Sequence, residues 1–158
     1  MMKESVGTEE TRVEMTQIVL PSHTNNHGTM FGGQLVAWVD ICGSVAARRF
    51  CRGTVVTAAI DELCFAAPVK MGHIVVLVGQ VNQAWGSSME IGVRVEAEDP
   101  ETGERFRCCS AFLTFVSLKD GAPARIPKLV VAKGQEHRAV AADERREARL
   151  IKRKTAVK

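Results

Sequence analysis

The chain has 158 residues, 46% of them hydrophobic and 25% charged, which is an ordinary globular composition and a length suited to one domain. Its net charge of +3 comes from the end: eight basic residues lie between Arg138 and Lys158 against Asp143, Glu144 and Glu147, and the slightly acidic remainder gives no footprint for nucleic acid. No apolar stretch reaches the ~20 residues of a membrane span, and the opening MMKESVGTEETRVEM has no apolar signal core, so the expectation is a cytoplasmic protein without membrane insertion.

Residues 1–12 read as a flexible lead-in, and Val13 to Leu20, rich in Val, Ile and Thr, as a first strand. PSHTNNHGTMFGG follows, a loop whose glycines free the backbone. From Gln34 to about Phe50, Leu35, Trp38, Val39, Cys42, Val45 and Ala46 follow helical spacing. The other sides of this helix are hardly more polar, so it reads as buried, and Arg48, Arg49 and Arg52 at its end suit the helix dipole. Val55 to Ile60 is a strand that Leu63 to Phe65 extend past an irregularity. His73 to Trp85, Met89 to Glu98 and Arg105 to Leu118 are further strands, separated by Gly86-Ser-Ser and Asp99-Pro-Glu-Thr-Gly turns.

Short turns imply antiparallel pairing. The fold class is therefore α+β, one helix covered by one curved antiparallel sheet. A single sheet leaves edges and one helix flank open, which a partner subunit is expected to cover. The folded domain is placed at residues 13–131, with 132–158 a charged surface helix or frayed tail. Five scattered cysteines, Cys42, Cys51, Cys64, Cys108 and Cys109, lack CxxC spacing and read as reduced thiols serving as small buried hydrophobes. His23, His27, His73 and His137 show no metal-binding spacing, so no metal site is expected.

The residue that points to chemistry is Asp40, the only charge from Gln34 through Ala47. An ionised carboxylate is costly to bury without partners, so packing alone rarely places one there. Thr24, Asn25 and Asn26 supply polar groups just upstream. Gly28, Gly32 and Gly33 allow close backbone approach where the helix N-terminus leaves N–H groups free for an anion. A glycine-rich loop before a helix also describes an ordinary helix start, so this motif alone is weak.

Together, Asn25-Asn-His-Gly-Thr-Met-Phe31-Gly32-Gly33 running into a helix with Trp38-Val-Asp40 resembles the acyl-CoA hydrolase group of the hotdog superfamily. Val55-Val-Thr57-Ala, Phe65-Ala-Ala-Pro68-Val and Met71-Gly72-His73 extend the resemblance from about Thr16 to Pro127. It implies the hotdog fold, with a long central helix wrapped by the sheet, and acyl-CoA thioester hydrolysis at an interface between two subunits. It makes Asp40 the general base or nucleophile, Asn25 of a second subunit the amide that positions water or the thioester carbonyl, and the Gly33 N–H an oxyanion donor. It also implies a homodimer or a trimer of dimers, and no cofactor, coenzyme A being part of the substrate. Gly32, Phe31, Thr57, Phe65, Ser87 and Ser88 are candidate substrate contacts; Arg48, Arg49, Arg52 and the basic tail are candidate phosphate contacts, and Asp61 and Glu62 weaker candidates. Two other readings of the fold stand beside hydrolysis: a non-catalytic acyl-CoA-binding regulator, and an enoyl-CoA hydratase that would use a histidine such as His23 or His27.

Overall fold

The computed structural model describes residues 2–157. In chain order the elements are β1 (Ser5–Gly7), β2 (Val13–Ile18), α1 (Gly32–Cys51), β3 (Thr54–Phe65), β4 (Ile74–Trp85), β5 (Ser88–Glu98), β6 (Arg105–Lys119), β7 (Ala122–Pro123), β8 (Lys128–Val130) and α2 (Glu136–Ala156). The main sheet runs β2-β4-β5-β6-β3, all antiparallel, with β7 added beside β6. The short turns after β4 and β5 make hairpins, as expected, while β3 crosses to the far edge beside β6.

Alternation along the strands gives the sheet two unlike faces. Leu77, Ile91, Val93, Leu113 and Phe115 are buried with Val39, Cys42, Ala46 and Phe50 of α1 in one core. Gly79 of β4 lies so close to α1 that a Cβ there would meet Cys42 Sγ at 2.9 Å, so helix and sheet approach more closely than side chains on both would permit. α1 ends where Arg52 turns left-handed (φ 55°) and donates its N–H to the Arg48 carbonyl. Arg49 donates to the Arg12 carbonyl. These contacts give both arginines structural work at the helix end.

Three expectations need revision. The lead-in is structured from Ser5: β1 pairs parallel with β8, Val6 is 4% exposed, and the buried Thr11 hydroxyl accepts the Val81 N–H. α1 is not buried all round; Ala37 and Gly33 are exposed and Ile41 is 50% exposed, because one sheet covers one side of a helix. Finally, Cys64 is exposed on the edge strand β3, unlike the four other cysteines. Burial pushes the thiols of Cys42, Cys108 and Cys109 up to about 11.

The charged tail forms a helix, α2, laid over the other face of the sheet. Ala139 and Ala142 are its buried contacts. Arg145 makes a two-pronged pair with Glu90 (2.7 and 3.0 Å), Asn82 donates to the same carboxylate at 3.0 Å, and Glu90 is 0% exposed. The Arg145 guanidinium also stacks 3.5 Å from the Phe112 ring centre. Burial works against its charge, but the bonds and charge of Glu90 outweigh this and hold Arg145 above its ordinary range. Arg138 bonds Gln80, Asp143 accepts from the Trp85 indole, and Arg149 pairs with Asp61 at 2.9 Å. Asp61 is thereby tied to α2 on the face away from α1.

Candidate active site

Asp40 lies two turns into α1, beside its open flank, and is half-buried rather than enclosed. Among the described residues its one side-chain hydrogen-bond partner is Thr57 of β3, whose hydroxyl donates to Oδ1 at 2.7 Å. A local irregularity separates the two faces of β3 at this point. Thr57 pairs with Phe115, whose ring reaches Gly43 of α1, whereas Ala59 pairs with Thr114 and the register shifts between them. A bulge that inserts one residue re-aims the side chains on either side of it. Thr57 is thus a hydrogen-bond partner of the carboxylate, a contact its expected place among the substrate-binding residues did not include.

The start of α1 has no side-chain cap. The Gly32 and Gly33 N–H groups find no protein acceptor among the described residues, as the first turn of a helix requires. The Phe31 ring folds over this turn: a Cβ on Gly33 would lie 2.5 Å from it. Phe65 approaches Gly32 from the other side, 3.6 Å from where a Cβ would stand. Phe31 and Phe65 are 59% and 54% exposed. Next to them Met30, Leu35, Phe65, Pro68 and Val69 line an apolar cleft of about 330 Å³.

Asn25 is not brought to Asp40 within one chain. Its Oδ1 accepts from the N–H of His27 (2.8 Å) and Thr29 (3.3 Å), and its Nδ2 donates to the Thr29 hydroxyl, so it shapes its own exposed loop. Ser87 and Ser88 are also apart from Asp40; they line a cleft between the sheet and α2. His23 has its Nδ1 occupied by the Leu20 N–H and its ring edge-on to Trp38 at 5.0 Å, which is a packing role. The Thr57–Asp40 bond escaped sequence reasoning because strand bulges leave little local trace. The bonds of α2 to Glu90 and Asp61 were missed as well, although the spacing of its arginines offered a signal. Among the described residues no cluster of His, Cys, Asp or Glu is arranged to hold a metal, and no helix is long and apolar enough to cross a membrane.

The thioesterase superfamily model matches residues 27–104, which include the Gly28–Gly33 part of the loop, Asp40 and Thr57, and begin after Asn25. The uncharacterized acyl-CoA thioester hydrolase YkhA of Bacillus subtilis is 41% identical over 77% of this chain and 72% of its own length. The chain belongs to the acyl-CoA hydrolase family of the thioesterase superfamily. Mouse acyl-coenzyme A thioesterase 11 is also 41% identical, over 92% of this chain, but the chain spans only 25% of that relative. The acyl-CoA hydrolase of Staphylococcus aureus, solved with butyryl coenzyme A and coenzyme A, superposes with a TM-score of 0.87 at 32% identity, covering 97% of this chain and 96% of that one. A hexameric acyl-CoA thioesterase superposes at 0.90 with 32% identity, covering 99% and 100%. These neighbours carry the hotdog fold expected from the sequence. Solved variants of the S. aureus hydrolase replace by alanine an Asp, an Asn and a Thr, each numbered three higher than Asp40, Asn25 and Thr57 of this member of the family.

Proposed function

We propose that this chain hydrolyses acyl-CoA thioesters to a free acid and coenzyme A, at a site where Asp40 of one subunit works with Asn25 of another. The observation that carries the reading is the state of Asp40: half-buried, held at one oxygen by Thr57 and open at the other, two turns along the helix whose start is uncapped. A carboxylate so held can take a proton from a water. The resulting hydroxide attacks the thioester carbonyl, and the oxyanion is met by the Gly33 N–H. Collapse breaks the C–S bond, and the departing thiolate takes the proton back from Asp40. Coenzyme A is product, and no added cofactor enters these steps.

Two further features support the reading. The open flank of α1 and the exposed apolar groups of edge strand β3, Val56, Ile60 and Phe65, form a surface that a second copy would cover. Such a copy would bring its own Asn25 loop, since one chain does not bring Asn25 to its own Asp40. The S. aureus variants at an Asp, an Asn and a Thr of matching offset favour the same trio. The apolar cleft beside Phe65 is assigned to the acyl chain, and assembly of three such dimers follows the hexameric relative.

Thiol release from a panel of acyl-CoAs tests the activity. Asp40→Asn should keep fold and assembly and lose about 10²–10⁴-fold in kcat, the usual worth of a general base; turnover near wild type would remove Asp40 from the mechanism. Mixing inactive Asp40→Asn with inactive Asn25→Ala under subunit exchange tests the shared site. Half the dimers should then be mixed with one intact site each, restoring about a quarter of wild-type activity by two-fold symmetry. No recovery despite proven exchange would place both residues in one chain's site.

A further inference from the structure

On β3, Asp61 stands four residues after Thr57, and in a regular strand that even separation would put both side chains on one face. They face opposite ways. The Thr57 hydroxyl donates to Asp40 on the α1 side, while Asp61 accepts from the Arg149 guanidinium of α2 at 2.9 Å on the other. The register shows how: Thr57 pairs with Phe115 and Ala59 with Thr114. β3 therefore carries one residue more than β6 between these rungs, and its side chains change face there. Without that inserted residue, the strand could not offer Thr57 to Asp40 and Asp61 to Arg149 at once.

Little in the ladder itself keeps the insertion in place. Within the chain β3 is an edge strand, its main ladder made with β6 alone. A second shift follows between Asp61 and Cys64, where Glu62 takes a left-handed φ of 51°, uncommon for a residue other than glycine. Only Ala59, Ile60 and Asp61 run in register between the two breaks. A slip by one residue would turn their side chains to the other face. α2 bears on this short segment: Arg145 lies over the ring of Phe112, which is the β6 partner of Asp61. Arg149, one turn further on the same side of α2, is bonded to Asp61 itself and has only 15% of its side chain exposed. We propose that Arg149 is a positioning residue for the hydrolysis: by holding Asp61 on the outer face, it fixes the bulge that aims Thr57 at Asp40. This role rests on the function proposed above and extends it to a side chain across the sheet from Asp40.

Steady-state thiol release and amide hydrogen exchange on the full-length protein test this role. Arg149→Met should lower kcat roughly three- to thirtyfold, the range for contacts that act through another residue, with KM for acyl-CoA unchanged. Arg149→Lys, which keeps a cation within reach of Asp61, should restore most of the rate. The deciding measurement is the double variant: in a Thr57→Val background, Arg149→Met should lower kcat no further, because both changes remove the same bond. Amide exchange in Arg149→Met should speed up from Val56 to Asp61 and stay slow in α1. Arg105→Gln, which breaks the pair with Glu98 on the same sheet, should leave kcat and exchange in β3 as in wild type. Where Arg149→Met fails to fold, Asp61→Ser gives the same readings from the other end of the pair. Wild-type kcat in Arg149→Met, an equal loss with or without the Thr57 hydroxyl, or unaltered exchange in β3 overturns the proposal. So does a raised KM with kcat intact, which would make Arg149 a substrate contact. Wild type that releases no thiol would instead sink the proposed function, and exchange in β3 would still decide whether Arg149 holds the strand.

Discussion

Asp40 and Glu90 stand on opposite sides of one sheet; in the sequence Asp40 is the only charge from Gln34 through Ala47, whereas Glu90 shares its strand with Arg94, Glu96 and Glu98. Their surroundings differ in kind. Glu90 is fully enclosed, and Asn82 and both prongs of Arg145 bond its two oxygens. Asp40 is half-open and has one bond, from Thr57. A buried charge with its hydrogen bonds satisfied is fixed in place and has nothing left to offer a substrate. A carboxylate held by one oxygen is oriented but still able to accept a proton. The comparison separates a structural acid from a reactive one by unspent bonding capacity, which burial alone does not report.

The largest effect that would sharpen this contrast is on stability. Glu90→Ala should destabilise the fold by about 3–5 kcal/mol, because it leaves Arg145 buried without its partner, and urea unfolding measures the loss. Glu90→Leu/Arg145→Met should recover most of it, since apolar groups of similar size can replace a buried pair. Asp40→Asn, in contrast, should shift the urea midpoint little while removing turnover. If Asp40→Asn proved as destabilising as Glu90→Ala, the distinction between the two acids would fail.

Much of this contrast was legible beforehand, and the unread part has a physical reason. The helix, the four long strands and the turn residues carry period and glycine signals that are local, so their order was readable. Asp40 stood out for the same reason, as one charge in an apolar helix. What escaped depends on contacts between distant segments. Arg145 reaches Glu90 across 55 residues, and Thr11 caps Val81 across 70. Val6 is buried only because β8 returns to pair with β1. Such pairings leave little mark in the segments that make them, which is why the lead-in read as mobile and the tail as a surface helix or frayed end.

A smaller effect is expected from Thr57→Val, which keeps the shape of the side chain and removes the hydroxyl donor. A hydrogen bond to a charged group is worth about 1.5–3 kcal/mol, so kcat should fall by about one to two powers of ten if the bond holds Asp40 in its working orientation. KM should change little, and Thr57→Ser should restore the rate. A rise in KM with kcat intact would instead make Thr57 a substrate contact, as the sequence first suggested, and would leave Asp40 without a positioning partner.

The smallest effect tests the helix start. Gly33→Ala keeps the backbone N–H that is assigned to the oxyanion, but its Cβ would stand 2.5 Å from the Phe31 ring and push that ring away. Phe31 is exposed and free to swing, and the gain in helix propensity is about 1 kcal/mol, so thermal stability should change little. Turnover should stay within about threefold, since the donor is unmoved, while KM for apolar acyl chains shifts with the ring. Phe31→Ala should then reproduce the KM shift. If kcat fell with Gly33→Ala as far as with Thr57→Val, the ring's position over the first turn would belong to the chemistry, and the reactive side of the comparison would have to include how Phe31 shields the donor as well as how Thr57 holds the acid.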